Sequence, residues 1–144
     1  MAFSSSDWLI WAVLSAVFAA LTSILAKVGI EGIDSDLATL IRTFVIVIVL
    51  GIFVFSANKW TNPLSLKPRT LTFLVLSGLA TCASWICYFR ALQLGDASKV
   101  APVDKLSVVL VAILAVAFLG ERPGPKDWLG IALVGIGTVV LALR

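Results

Sequence analysis

Histidine is absent from this 144-residue sequence, and charged residues of all kinds make up only 13% of it. The missing histidine removes the commonest metal ligand and the commonest general acid and base of enzymes. The two cysteines, Cys82 and Cys87, lie five residues apart in an apolar run, where helical geometry points them to different faces. We therefore expect no metal site, no bound cofactor and no internal disulfide.

Charge of either sign is scarce and scattered. Eleven Lys and Arg residues stand against eight Asp and Glu residues, for a net charge of +3, and the excess never gathers into a basic run. A nucleic-acid surface needs such a run, so nucleic acid is not an expected partner. The sequence also lacks a nucleophile beside a base and a glycine-rich phosphate loop. It therefore predicts no enzyme and no catalytic residue.

Apolar residues are what the sequence has in abundance. They form 60% of the chain, and the mean hydropathy is +1.09. Soluble domains average about half apolar residues and about a quarter charged residues, and a soluble domain of this length could not bury so much apolar surface. The composition therefore places the chain among integral, multi-pass membrane proteins.

Five charge-poor stretches approach the roughly 20 residues that a helix needs to cross the hydrocarbon core of a bilayer. Unpaired backbone polar groups are costly in lipid, and these runs do not alternate as barrel strands do, so we expect each to be a helix. The sequence predicts an all-α fold: a polytopic bundle of five transmembrane helices, forming a single domain over residues 1–144. The predicted helices cover residues 8–28, 37–55, 71–94, 98–119 and 127–143.

Capping and turn residues set the helix ends. Asp34 or Asp36 should cap the second helix, and Ser98 the fourth. We expect Pro102 to lie early enough in the fourth helix for its missing N–H to matter little. An odd number of helices puts the two termini on opposite sides of the membrane. The side of the N-terminus then also carries the loop 58–69 and the turn 120–127, with tryptophans near its interface.

Charged residues inside the predicted helices are the main functional candidates, since each costs about 2.5 to 3.5 kcal/mol at the bilayer centre on insertion scales. Asp104 and Lys105 lie six and seven positions beyond Ser98, about 9 to 10 Å deep. Arg42 lies about 7 to 8 Å into the second helix, a depth from which its guanidinium can just reach the interface. Anchoring and function are both open for Arg42.

Two interpretations of the Asp104 and Lys105 charges stay open. Adjacent helical residues project about 100° apart, so we do not expect these two side chains to pair with each other. In the first interpretation, Arg90 pairs with Asp104 and locks two helices together. In the second, Lys105 and Arg42 offer positive charge to an anionic or zwitterionic solute, and Asp104 holds them in place.

The third helix carries a face of hydroxyl and aromatic side chains in helical register. Such a face can line a cavity, although a ring in the middle of a helix, such as that of Trp85, also fits a role in core packing. The residues of this face are Ser77, Thr81, Ser84, Trp85 and Tyr88.

Three short motifs follow one another on the third, fourth and fifth predicted helices. They are YFRAL at 88–92, VAP at 100–102 and LGE at 119–121, before a last helix that contains glycines. In this order and spacing the chain resembles, over essentially its whole length, one EamA repeat of the drug/metabolite transporter superfamily. The resemblance implies two five-helix repeats, inverted with respect to each other, with a transport cavity between them. It also implies export of amino acids, related metabolites or drugs.

This resemblance implies a secondary transporter, in a prokaryotic inner membrane, for a small amino-acid-like metabolite that is zwitterionic or anionic. Because the chain holds one repeat, we expect a homodimer that works by alternating access, antiparallel or parallel, with substrate and membrane lipid as its other partners. Two alternatives are a small multidrug-resistance-like cation exporter, although its first-helix glutamate is missing here, and a non-transporting membrane subunit. The expected substrate-binding residues are Lys105, Asp104, Arg42, Tyr88, Trp85 and Ser84.

Overall fold

The computed structural model of the protein describes residues 7–143, so residues 1–6 and 144 of the predicted domain lie outside the described residues. Every regular element within 7–143 is helical, and five stretches are long and apolar enough to cross a membrane. The predicted all-α fold with five transmembrane helices is confirmed. The helices are α1 (Asp7–Gly29), α2 (Ser35–Ser56), α3 (Pro68–Leu94), α4 (Ala97–Asp104), α5 (Leu106–Leu114) and α6 (Pro125–Ala142), with a 3₁₀ turn at Pro63–Ser65 and a π-helical turn at Ala115–Leu119.

A capping side chain explains where α2 begins, whereas the N-cap residue of α4 makes no capping bond. Asp34 Oδ1 accepts the backbone N–H groups of Asp36 at 2.8 Å and Leu37 at 3.3 Å, so Asp34 is the N-cap of α2. At α4 the N-cap position belongs to Asp96 and not to the predicted Ser98. The Asp96 carboxylate makes no capping bond and lies 3.7 Å from Lys99 Nζ.

The fourth transmembrane stretch is interrupted at Lys105, where the sequence predicts one continuous helix. Pro102 lies five residues after the first residue of α4, so its missing N–H deprives the Ser98 carbonyl of an intrahelical donor. Just beyond it, the Lys105 N–H donates to the Pro102 carbonyl at 2.9 Å, an i to i−3 bond. Lys105 has ψ −2°, and it both ends α4 and precedes α5. The proline therefore matters more than expected.

The chain divides into two units, which are described separately. Among the described residues, the first unit consists of residues 7–25 and 94–143, and the second of Ala26–Gln93. In the first unit, α4 and α5 pack against α6. Gly135 of α6 permits a close approach to α5, because a Cβ at this position would lie 3.1 Å from Val109 Cγ2. In the second unit the most buried large side chains are Phe89 and Leu92 of α3, with 1% and 0% of their surface exposed.

Candidate functional site

The six predicted substrate residues fall into two groups, one in each unit. Arg42 lies on α2, and Ser84, Trp85 and Tyr88 lie on α3, all in the second unit. Asp104 and Lys105 lie at the interruption between α4 and α5 in the first unit. Each group is described by its own contacts.

The guanidinium of Arg42 rests on two aromatic rings of α3. Its Cζ lies 4.4 Å from the ring centroid of Phe89 and 5.2 Å from that of Trp85. Trp85 and Phe89 are four residues apart and therefore share one face of α3. Arg42 follows the first residue of α2 by seven positions, or about 10 Å of helical rise. The cation is thus held at membrane depth by ring faces, as cation–π geometry allows.

One nitrogen of this guanidinium finds no acceptor in the part of the chain that the structure describes. Arg42 Nη1 is secluded from solvent and makes no hydrogen bond within the described residues 7–143. The hydroxyls of Thr39 and Thr43, nearby on α2, donate at 2.8 Å to carbonyls of their own helix. No carboxylate in the described part of the chain forms an ion pair with Arg42. The site therefore presents a positive charge and a sheltered donor that an anion could match.

The remaining predicted residues of this unit differ in how close they come to Arg42. Tyr88 is half-buried, and its ring meets that of Phe89 edge to face, with centroids 6.1 Å apart. Tyr88 therefore borders the ring on which the guanidinium rests. Ser84 is exposed. The structure thus places the Arg42 guanidinium on the rings of Trp85 and Phe89, and the Tyr88 ring beside that of Phe89.

Asp104 and Lys105 pair with each other, contrary to expectation. Lys105 Nζ lies 3.3 Å from Asp104 Oδ2, and their side chains are 54% and 36% exposed. The expected 100° separation assumed a continuous helix, but the helix ends between these residues and the lysine stem can fold back. The first of the two open interpretations gave Arg90 a carboxylate partner, and within the second unit that partner is Asp36. Arg90 Nη2 binds Asp36 Oδ2 at 2.9 Å.

Sequence reasoning missed several contacts of the second unit. Phe89 lies one turn after Trp85, so the i, i+4 spacing could have revealed the second ring under Arg42. Lys27 Nζ donates to the Leu92 carbonyl at 2.6 Å. This carbonyl belongs to the last turn of α3, where intrahelical donors run out. No sequence signal marks a backbone acceptor of this kind.

A cleft of about 520 Å³ lies in the first unit and contains none of the predicted substrate residues. Its wall is apolar along α5 and α6, and charged side chains lie at the turn between them. Asp127 in this wall accepts the Gly124 N–H at 2.7 Å and so caps α6. The lining residues are Val108, Val111, Ala112, Ala115, Glu121, Arg122, Pro123, Asp127 and Ile131.

Comparison with known proteins gives a consistent family assignment. The pattern of the EamA-like transporter family matches residues 6–143. A Sinorhizobium protein described as an uncharacterized transporter in the cobO 3' region is 55% identical over 139 residues, which cover 96% of this chain and 99% of that protein. The uncharacterized transporter YwfM of Bacillus subtilis is 30% identical over 103 residues, 69% of this chain and 35% of that protein.

An uncharacterized protein of Methanocaldococcus jannaschii is 25% identical over 135 residues, covering 94% of this chain and 96% of its own length. The chain therefore matches relatives of about its own length, and about a third of the longer YwfM. No solved structure matches the chain.

Proposed function

This chain belongs to the EamA-like transporter family, and from that premise we propose that it is a secondary transporter of a small anionic or zwitterionic, amino-acid-like metabolite. The family and the names of the relatives indicate a multi-pass membrane transporter rather than an enzyme. One observation carries the substrate class. The Arg42 guanidinium lies on the rings of Trp85 and Phe89 with a secluded Nη1 that has no acceptor among residues 7–143.

The energetics of Arg42 favour a ligand of opposite charge. A charge at the bilayer centre costs about 2.5 to 3.5 kcal/mol, and each contact with a ring stabilises the cation by about 0.5 to 2 kcal/mol. A sheltered donor without an acceptor costs about 1 to 3 kcal/mol more. The rings therefore hold the cation in place but leave its donor unmatched. A carboxylate satisfies both needs, because the planar guanidinium can donate two parallel hydrogen bonds to it.

Trp85, Tyr88 and Ser84 complete the proposed binding site in the second unit. Aromatic rings beside a charged group suit a metabolite that has a carboxylate and an apolar side chain, since binding sites combine apolar walls with a few placed polar groups. Tyr88 and Ser84 supply hydroxyls that can donate to or accept from the polar part of the solute. An isolated organic cation is disfavoured here, because Arg42 would repel it.

In the first unit, Asp104 and Lys105 are proposed as substrate residues because of where the backbone is interrupted. Non-helical backbone at membrane depth is tolerated where it is buried in protein or lines a water-filled cavity, and transporters place such breaks at their binding sites. Lys105 is the residue of the interruption, and Asp104 Oδ2 lies 3.3 Å from its Nζ. We propose that an anionic solute competes with Asp104 for this ammonium group.

The proposed working unit is a homodimer that operates by alternating access in a prokaryotic inner membrane. Alternating access in transporters with inverted repeats uses two halves around a midplane site. Two copies of this chain would supply both halves. The chain matches about a third of the longer YwfM, which is consistent with its being one repeat of a two-repeat transporter. The relatives named above come from bacteria and an archaeon.

An inverted pair of identical chains requires that the two copies insert in opposite orientations, so we propose an antiparallel dimer. Loop Lys and Arg residues set orientation, and here they give a weak bias. The side of the N-terminus would carry Lys59, Lys67, Arg69, Arg122 and Lys126, and the opposite side Lys27, Lys99 and Arg144. The rival outcome is one fixed orientation and a parallel dimer.

The transport proposal is tested with purified protein in liposomes. Uptake of a panel of radiolabelled amino acids and small carboxylic acids is compared with uptake of tetraphenylphosphonium. We expect saturable uptake of at least one carboxylate-bearing solute, loss of that uptake in Arg42→Gln, and its retention in the matched control Arg122→Gln. Uptake of tetraphenylphosphonium alone would indicate a cation exporter, and uptake of nothing a non-transporting subunit. Either result overturns the proposal.

A further inference from the structure

The charges of the second unit are distributed unevenly between the two ends of α2. Near its first residue, three acids, Glu31, Asp34 and Asp36, stand close in sequence to one another, and Asp36 pairs with Arg90. Within the second unit, the residues after the last position of α2 include cations and no acid, since the sequence has no Asp or Glu between Asp36 and Asp96. The 22 residues of α2 rise about 33 Å, so these ends lie at opposite surfaces of a bilayer.

We call the cationic end the basic rim and define it as Lys59, Trp60, Lys67 and Arg69. All four side chains are exposed. Within the described residues 7–143, none of the three cations forms an ion pair. The rim therefore carries three unmatched positive charges at the ends of two transmembrane helices, α2 and α3.

The backbone holds the start of the rim in a defined position. Asn58 has a φ of 52°, a left-handed conformation that asparagine tolerates better than most residues. The Asn58 N–H donates to the Phe55 carbonyl at 3.1 Å, and the Lys59 N–H to the Val54 carbonyl at 3.0 Å. These two bonds are those of a Schellman motif, which satisfies the last carbonyls of α2. Lys59 is thereby fixed where the helix leaves the hydrocarbon.

Aromatic rings set the depth of the rim's side chains. Trp60 stacks on Phe55, with centroids 4.6 Å apart and planes inclined by 12°. Lys59 Nζ lies 6.0 Å from the Phe53 ring, and Arg69 Cζ lies 5.9 Å from the Phe73 ring. Tryptophan prefers the headgroup level of a bilayer, and cations on long stems reach the same level from helix ends. The rim thus lies at the depth of lipid phosphates.

We propose that the basic rim is a docking surface for the headgroups of anionic phospholipids. Charge complementarity selects this occupant, because three cations that form no ion pair within residues 7–143 match phosphates at the depth where the rings place them. Each Lys or Arg near an anionic membrane surface contributes about 1 kcal/mol, roughly a fivefold change in association. This docking surface is independent of the substrate site and of the direction of transport.

The experiment compares spin-labelled phosphatidylglycerol with spin-labelled phosphatidylcholine around the full chain in phosphatidylcholine liposomes. We expect wild-type protein to prefer phosphatidylglycerol, and each single change, K59Q, K67Q or R69Q, to lower that preference by up to about fivefold. The triple variant should show no preference. Raising the salt concentration should weaken the wild-type preference, because the rim is exposed.

The matched control is K99Q/R122Q/K126Q, which removes the same charge from cations of the first unit. A preference that survives in the K59Q/K67Q/R69Q variant, or that the control loses equally, overturns the proposal. So does a wild type without preference. Soluble glycerol phosphate should not compete at the concentration of the lipid, and equal competition would indicate a free-anion site instead. K59R/K67R keeps the charges and should keep the preference. Because this variant tests charge without removing it, its result remains informative even if the triple variant fails to fold, and loss of the preference in a folded K59R/K67R overturns the proposal.

Discussion

Replacing Arg42 with glutamine separates its contribution to stability from its contribution to substrate binding. The change removes a charge that costs about 2.5 to 3.5 kcal/mol at the bilayer centre, and it also removes two ring contacts worth about 0.5 to 2 kcal/mol each. Arg42 lies only about 10 Å along α2, so its charge costs less than this centre value, while its sheltered donor adds about 1 to 3 kcal/mol. The sum of these costs and the sum of the ring contacts are of similar size and opposite sign. We therefore expect the melting temperature of Arg42→Gln in detergent to stay close to that of the wild type.

The effect on transport should be much larger. A hydrogen bond to a charged group contributes about 1.5 to 3 kcal/mol, and a guanidinium can make two with a carboxylate. Because Arg42 is only half-buried, we take about 3 kcal/mol for the pair, which corresponds to a loss in apparent affinity of about a hundredfold. Arg42→Lys keeps the charge but not the planar fork, so it should lose about tenfold.

Initial uptake rates in liposomes over a range of solute concentrations measure these losses as changes in KM. Arg122→Gln, which removes an exposed arginine at the turn before α6, controls for net charge and should leave KM unchanged. If Arg42→Gln transports with the wild-type KM, the guanidinium does not bind the solute. If the variant melts far below the wild type, Arg42 is a structural residue and the reasoning from its unmatched donor fails.

Three further predictions use other parts of the chain. Asp104→Asn should lower the free energy of unfolding by no more than about 1 kcal/mol, because its pair with Lys105 is partly exposed; a loss of several kcal/mol would mean that the pair is buried in the working protein. Pro102→Ala restores the missing N–H, so we expect a higher melting temperature and slower uptake, and unchanged uptake would show that the interruption is not needed for transport. With both native cysteines replaced, Thr61→Cys should react with an impermeant maleimide from both sides of intact cells and inverted vesicles. Labelling from one side only would contradict the antiparallel dimer.

Hydropathy was sufficient to predict the five transmembrane stretches, because each is an almost uninterrupted apolar run. Helix ends were less predictable, since they depend on which of several neighbouring side chains caps the backbone. The start of the fourth stretch is an example. Counting from Ser98 rather than from Ala97 made Pro102 seem closer to the helix start than it is, and so the interruption at Lys105 was missed.

The candidate site was predictable as a set of residue types but not as a set of contacts. Depth in the membrane singled out Arg42 and Lys105 from sequence alone. The partners of charged groups were not predictable in the same way, because they depend on which helices are neighbours. Arg90 binds Asp36, a pair that sequence reasoning did not find, and Phe89 supplies a ring that composition alone does not distinguish from other apolar residues. The substrate roles themselves stay predictions.

The interruption of the fourth stretch also has a consequence for water. Pro102 has no N–H to donate to the Ser98 carbonyl, and a carbonyl without a donor is costly in hydrocarbon. Water that reaches this carbonyl from the nearby surface would hydrate the first turn of the fourth transmembrane stretch. Amides around Lys105 should then exchange with deuterium faster than amides at the same depth in the uninterrupted α2. At such a hydrated break in the helix, a hydrophilic solute could first replace its hydrogen bonds to water with hydrogen bonds to the protein.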